Sequence, residues 1–342
     1  MNFSGYLPAT APAEARGVAR DGVRLLVGLR DGVTHHVFHD LPSLLSPGDV
    51  LVVNTSTTMP AAVGVVGDTG LVLHFSTRLD DGRWVVEPRR DLMPTSEGVA
   101  GQQLELKGFE LKGGAWVRLE SAFTSRLWTA STSVTPAYLA ANGHPIRYSY
   151  VDHEWPISFY RTVFSDGSDF GSAEMPSAAR PFTEALVTRL VSRGIVFAPI
   201  SLHTGVASPE AHEKPYPERF SVPAASAGLI NHAHATGGRV IAVGTTAVRA
   251  VESAASPSGF VSAAAGWTDL VVTPSRGVHA IDGLLTGFHE PRASHLMMLE
   301  AIAGTEVLEE CYREAVGSGY LWHEFGDLNL LLPAPAGRGS RL

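Results

Sequence analysis

Hydrophobic positions along the chain follow three successive periods. Near the start, Arg24-Leu-Leu-Val-Gly-Leu29 and Val33 to Phe38 flank Arg30-Asp-Gly32, where Asp-Gly supplies the backbone freedom of a tight turn, and a β-hairpin is predicted. Leu41 to Leu45 reads as a short helical turn broken by Pro47-Gly48-Asp49. Val50-Leu-Val-Val53 then forms a continuous apolar run, the mark of a strand covered on both faces, ended by Asn54.

From about Pro60 to about Tyr150 the pattern shortens to period-two runs separated by Gly and Asp turns: Ala61 to Val66, Gly70 to Ser76, Trp84 to Pro88, Gln102 to Leu106 and Ala115 to Leu119. Short strands without long intervening helices predict a small antiparallel barrel inserted into the chain at 59–152. Helices then alternate with apolar strands. Pro181 leads a helix through Phe182, Leu186 and Leu190, closed by Gly194 before a strand from Ile195 to Ile200. A helix from Ala224 to Ala235 ends at Gly237-Gly238, Arg239 to Val243 is another buried strand, Thr245-Thr246 opens a helix, and Leu270 to Val272 reads as one more strand. Ala254 to Ala265 reads as a surface loop and the segment after Pro333 as a frayed tail. The expected fold class is α/β, a layered α/β/α domain made of 1–58 and 153–342, interrupted by the barrel.

Composition narrows the function classes. The 342 residues, 44% hydrophobic, suffice for two cores. No apolar stretch approaches the roughly 20 residues that span a bilayer, and the N-terminal segment lacks the pattern of an export signal, so a cytoplasmic protein with no membrane partner is expected. A monomer is the default expectation. The single cysteine, Cys311, has no thiol partner, and the histidines are not read as a metal-ligand set, so no metal is expected. A net charge of −8 argues against broad electrostatic capture of nucleic acid but leaves room for a local basic patch.

Candidate chemistry concentrates at strand ends. Val240-Ile-Ala-Val-Gly244-Thr245-Thr246-Ala-Val-Arg249, followed by Glu252, places one glycine and two hydroxyls at a helix entrance, a seat for an anion or carboxylate. Arg249 and Glu252 share one helix face, and the plainer reading pairs them at the surface while Thr245 caps the helix. His203 follows a strand, and His289 precedes a helix expected from about Arg292; either is placed for proton transfer, or simply satisfies loop carbonyls. Trp322 and Phe325 read as core anchors or as walls for a flat ligand with Asp327 at its polar edge. No dinucleotide-binding, P-loop or hydrolase-elbow motif occurs.

Taken in order, these segments resemble the S-adenosylmethionine:tRNA ribosyltransferase-isomerase (QueA) family of queuosine biosynthesis. The resemblance rests on Asp40-Leu-Pro-Ser-Leu-Leu-Ser-Pro-Gly-Asp-Val-Leu-Val-Val-Asn54, Tyr160-Arg-Thr-Val-Phe164, Ser201-Leu-His203, Gly238 to Ser253, Gly287-Phe-His-Glu-Pro291 and Phe325-Gly-Asp327. It implies an enzyme that moves the ribosyl part of S-adenosylmethionine, its co-substrate, to an aminomethyl-deazaguanine base in a tRNA anticodon stem-loop, releasing adenine and methionine. It also implies cofactor-binding roles for Gly244, Thr245, Thr246, Arg249 and Arg161, and catalytic roles for His203, His289 and Asp327. Some segments depart from the family pattern. NNTRVIPARL becomes Val53 to Ala62, APTAGLHF becomes Glu174 to Phe182, and SYGDAM becomes His323 to Asn329. Such departures also fit a paralogue that uses S-adenosylmethionine on a non-tRNA acceptor, or a catalytically silent binding protein.

Overall fold

The apolar run at Val50–Asn54 divides its side chains between two cores. Val50 and Val52 enter one core with the helices Ala224–Thr236, Thr245–Ala254, His295–Ala303 and Thr305–Gly317, while Leu51 and Val53 enter another with Phe182, Leu186 and Leu190 of the opposite face. Val240–Val243 does the same, with Val240 and Ala242 on one side and Ile241 and Val243 on the other. Each buried aliphatic side chain contributes about 1.5–3 kcal/mol, which favours a sheet covered on both faces over one with a wet side.

The computed structural model describes residues 5, 7–67, 70–90, 107–151, 153–165, 167, 170–206, 216–289 and 295–333. Nine strands form the main mixed sheet, in the order Ala264–Thr268, Glu218–Val222, Val196–Leu202, Val50–Asn54, Val240–Val243, Gly283–Gly287, Leu328–Leu332, Arg24–Leu29 and Gly32–Val37. Six further strands form a second, wholly antiparallel sheet: Ala62–Gly64, Leu71–Arg78, Trp84–Arg90, Trp128–Thr132, Trp116–Ala122 and Gly108–Glu110. This sheet curls until its edges meet, where Val66 N donates to Glu110 O at 2.8 Å and Lys112 N to Gly64 O at 3.0 Å. It encloses its own core around Leu73, Phe75, Trp84, Val86, Val117 and Leu119. The fold class is therefore α/β with an antiparallel half-barrel.

We propose 59–152 as the limits of the inserted unit. Its two ends lie together, since Ala62 and His144 exchange both backbone hydrogen bonds at 2.9 Å. Proteolytic nicking that unfolds both sheets in a single step would contradict this division.

Several local expectations shift. The hairpin turns at Arg30-Asp31, so that Gly32, with φ of 130°, begins the second strand. The helix expected from Pro181 starts at Glu184, because the Thr183 hydroxyl accepts a hydrogen bond from Leu186 N and caps it. Leu270 to Val272 is not a strand. The Ala-rich Ala264–Thr268 segment, which extends from the expected surface loop, forms the sheet edge instead by pairing with Glu218–Val222. The expected strand Gln102 to Leu106 and the helix start near Arg292 lie outside the described residues.

Candidate active site

Val196–Leu202, Val50–Asn54, Val240–Val243 and Gly283–Gly287 run parallel, so their carboxyl ends share one edge of the sheet. Leu328–Leu332 runs antiparallel to Gly283–Gly287, which brings 323–327 in at that same edge. Topology thus gathers His203, Gly244, Thr245, Thr246, His289 and Asp327 from four separate segments. The chain continues to one side of Val50–Asn54 with Val196–Leu202 and to the other with Val240–Val243, a reversal that opens a ligand crevice in such sheets.

Asn54 bridges that reversal. Its Nδ2 donates to Leu202 O at 2.9 Å and to Thr246 Oγ1 at 3.2 Å, while its Oδ1 accepts from Leu202 N at 3.0 Å and Ser56 N at 3.1 Å. The amide is wholly buried and fixes three loops relative to one another. Gly244, with φ of 88°, is the residue before the helix, so Thr245 begins that helix and does not cap it. Gly244 N is bound to Leu285 O at 2.8 Å, leaving the following first-turn amides and half-buried Thr245 and Thr246 at the entrance.

His203 is held through Nδ1, which lies 2.8 Å from Ser56 Oγ, and Ser56 is in turn 2.7 Å from Ser172 Oγ. Ser172 Oγ also accepts from Thr204 N at 3.1 Å. Neither serine stands out in the sequence, because each follows a short unremarkable run and they meet across 116 residues. Gly171 makes room for the ring: a Cβ there would lie 1.7 Å from His203 Nδ1. Gly171→Ala is expected to displace the imidazole and cut turnover by about 100-fold while the melting temperature changes little. Unaltered kinetics in that variant would separate His203 from the reaction.

His289 belongs to a stack of imidazoles. Its ring lies 4.6 Å from that of His295 and 5.8 Å from that of His323, and its Nε2 is 3.0 Å from Thr286 Oγ1. Burial, reinforced by its histidine neighbours, holds His289 well below the ordinary 6.5. Burial also lowers His295 to about 4, with Arg249 adding to the effect, and His323 to about 4, with His295 adding. Their folded-state values are depressed, so the unfolded chain binds more protons between about 4 and 6.5. Stability from these groups is present above about 6.5 and is lost as pH falls toward 4. Melting temperatures recorded from pH 7.5 downward should fall, and replacing His295 and His323 by Leu should flatten that fall.

Other sequence candidates are committed to the scaffold. Arg249 and Glu252 do not pair with each other, and neither is at the surface. Buried Arg249 forms an ion pair with Glu218 and donates to Leu270 O and Thr268 O at 3.1 Å, while buried Glu252 binds Arg276 at 3.0 Å and accepts from His279 N and Ala280 N. Asp327 accepts from Arg24 N at 2.8 Å, Arg24 Nε at 3.1 Å, Arg24 Nη2 at 2.9 Å and Leu321 N at 2.8 Å, so it fastens the first strand to the incoming loop. Trp322 and Phe325 are core anchors: Trp322 packs on Phe288 and Tyr312, and Phe325 on Tyr160. Arg161 lines a cleft with Pro60, Gly143, His144, Glu154 and Trp155, at the foot of the half-barrel. Among the described residues no group of three or more His, Cys, Asp or Glu is arranged to hold a metal ion, and no helix is long and apolar enough to cross a membrane.

The family profile described as "Queuosine biosynthesis protein" matches residues 1–331. The chain belongs to this family. It is 35% identical to the S-adenosylmethionine:tRNA ribosyltransferase-isomerase of Moorella thermoacetica, over 96% of this chain and 98% of that protein. It is 33% identical to the enzyme of the same name from Gloeobacter violaceus, over 97% and 95% of the two chains. The crystal structure of S-adenosylmethionine tRNA ribosyltransferase from Thermotoga maritima superposes with a TM-score of 0.53 at 25% identity, covering 97% of this chain and 99% of that one.

Against the queuosine family pattern, two of the departing segments meet at the sheet edge. Glu174 opens one and accepts a hydrogen bond from Tyr148 Oη at 2.9 Å, while His323 opens the other and presents its ring to the same Tyr148 at 5.2 Å.

Proposed function

We propose that the protein transfers the ribosyl part of S-adenosylmethionine to the aminomethyl-deazaguanine base of a tRNA anticodon, with release of adenine and methionine. The supporting observation is the near full-length likeness to several enzymes of that name. S-adenosylmethionine is the co-substrate and the tRNA stem-loop the partner, and a cytoplasmic location goes with a tRNA substrate.

Roles follow from the site. The first-turn amides after Gly244, with the Thr245 and Thr246 hydroxyls, face an anion at the positive end of a helix dipole and suit the methionine carboxylate. The sulfonium acidifies the adjacent carbon, and removing that proton requires a base; His203, oriented by Ser56, is the group we assign. His289, held neutral by burial, is suited to hydrogen-bond the departing adenine through its neutral ring and not to take up a proton. Arg249 brings positive charge to the histidine stack while anchored to Glu218. Arg161, in the cleft beside the half-barrel, is placed for a phosphate of the tRNA backbone. Incubation with S-adenosylmethionine and tRNA bearing the aminomethyl base, followed by nucleoside mass analysis, should reveal a base enlarged by the ribosyl-derived ring. An unmodified base under conditions where the enzyme stays folded would refute the proposal.

A further inference from the structure

We infer that the carboxyl groups of Glu174 and Glu324, in the neighbourhood of Tyr148 and Tyr160, form the seat of a primary ammonium group of the substrate. The identity of that amine rests on the transferase reading, but the chemistry of the seat does not. Glu324 is 5% exposed, and its Oε2 has no hydrogen-bond partner. Tyr160 is 1% exposed, and its hydroxyl is likewise without a partner. Protein interiors seldom leave such groups unsatisfied, and where they do an absent ligand is a standard reason. The two lie in one neighbourhood: Tyr160 packs on Phe325 at 5.2 Å, next in sequence to Glu324, and the charge of Glu324 is felt at both Tyr160 and Tyr148.

The charges facing this place are mostly acidic. Glu174 stands beside Glu324, and Arg180, the cation felt there, is held by Glu14 at 2.7 Å and by Phe159 O at 2.9 Å. Arg147 and Glu154 also act on Tyr160, with opposite signs. Burial first, and Glu174 second, push the Glu324 carboxyl well above the usual carboxylate range, with Arg180 opposing. This shift favours the protonated form of Glu324, and a cation bound beside it would favour the ionised form. An ammonium has three donors and no acceptor, matching two carboxyls and a phenol oxygen, and the rings of Tyr148, Tyr150 and Tyr160 favour a cation beside them. A primary amine fits the three-acceptor set better than a quaternary one, which has no N–H to donate.

Both proposed substrates carry such a group: the aminomethyl arm of the deazaguanine and the α-ammonium of S-adenosylmethionine. Calorimetry distinguishes them, using the free aminomethyl-deazaguanine base, its neutral cyano-deazaguanine counterpart and S-adenosylmethionine as probes of wild type and Glu324→Gln. For the acceptor amine, the wild type should prefer the aminomethyl over the cyano base by about tenfold or more, and Glu324→Gln should abolish that preference with S-adenosylmethionine affinity unchanged. A loss of about tenfold confined to S-adenosylmethionine would place its α-ammonium in the seat. In either case amine binding by the wild type at pH 7 should release up to about one proton, read from the dependence of heat on buffer ionisation, and the variant should release none. Equal affinities of wild type and variant for all three probes, or no proton release, would overturn the inference. If Glu324→Gln fails to fold, Glu174→Gln supplies the same comparison. Wild-type transfer to tRNA is scored separately, so the amine seat can stand where the transferase reading falls, and the reverse.

Discussion

Replacing Arg249 with alanine should destabilise the folded chain by about 3–5 kcal/mol, because it leaves the Glu218 carboxylate buried without its partner. The loss reaches further than one ion pair. Glu218 Oε1 also accepts from Gly205 N at 2.9 Å, two residues beyond His203, and Arg249 binds the carbonyls of Leu270 and Thr268. The pair thus ties the helix Thr245–Ala254 to the outer strands and to the loop that carries the histidine. The joint replacement of Arg249 by Met and Glu218 by Leu should recover much of the lost stability, since buried pairs are often exchangeable for apolar ones. Thermal melts of the single and double variants check this. A single variant as stable as wild type would show the pair to be dispensable.

His203→Ala should reduce the rate of adenine release by about 100- to 10,000-fold, the range expected when a general base is removed. Its melting temperature should stay close to that of wild type, because the ring lies at a sheet edge and not in either core. Ser56→Ala, which removes the Nδ1 partner and keeps the ring, should cost less. A His203→Ala enzyme with wild-type turnover would transfer the role of base to another group.

Much of this scaffold was legible in the sequence, for a physical reason. A strand buried on both faces must be apolar throughout, as in Val50–Val53 and Val240–Val243, and glycines such as Gly237, with φ of 82°, mark helix ends. Strand ends followed by His203, Gly244 or His289 were legible as site candidates because such sheets present ligands at their carboxyl edge. The partners of those residues were not. Arg249 finds Glu218 across 31 residues and Asp327 finds Arg24 across 303, and no local spacing distinguishes a cation that binds substrate from one that holds a scaffold. Ser172 and Ser56 gain their place beside His203 only through tertiary approach, and the Glu174 and Glu324 segments read as unrelated changes until the fold brings both to Tyr148 and its neighbours. The strand at Ala264–Thr268 is not legible in the sequence because its alanines and glycine have weak strand preference, which pairing with Glu218–Val222 overrides.

On the proposed function, this chain cleaves S-adenosylmethionine in order to modify tRNA. The most direct measurement is adenine release from S-adenosylmethionine by the purified protein, with tRNA bearing aminomethyl-deazaguanine, with the same tRNA lacking that base, and with no tRNA. Release should occur only with the aminomethyl-bearing tRNA, in proportion to the tRNA modified. Release independent of tRNA, or none with the modified tRNA from a folded protein, would contradict it.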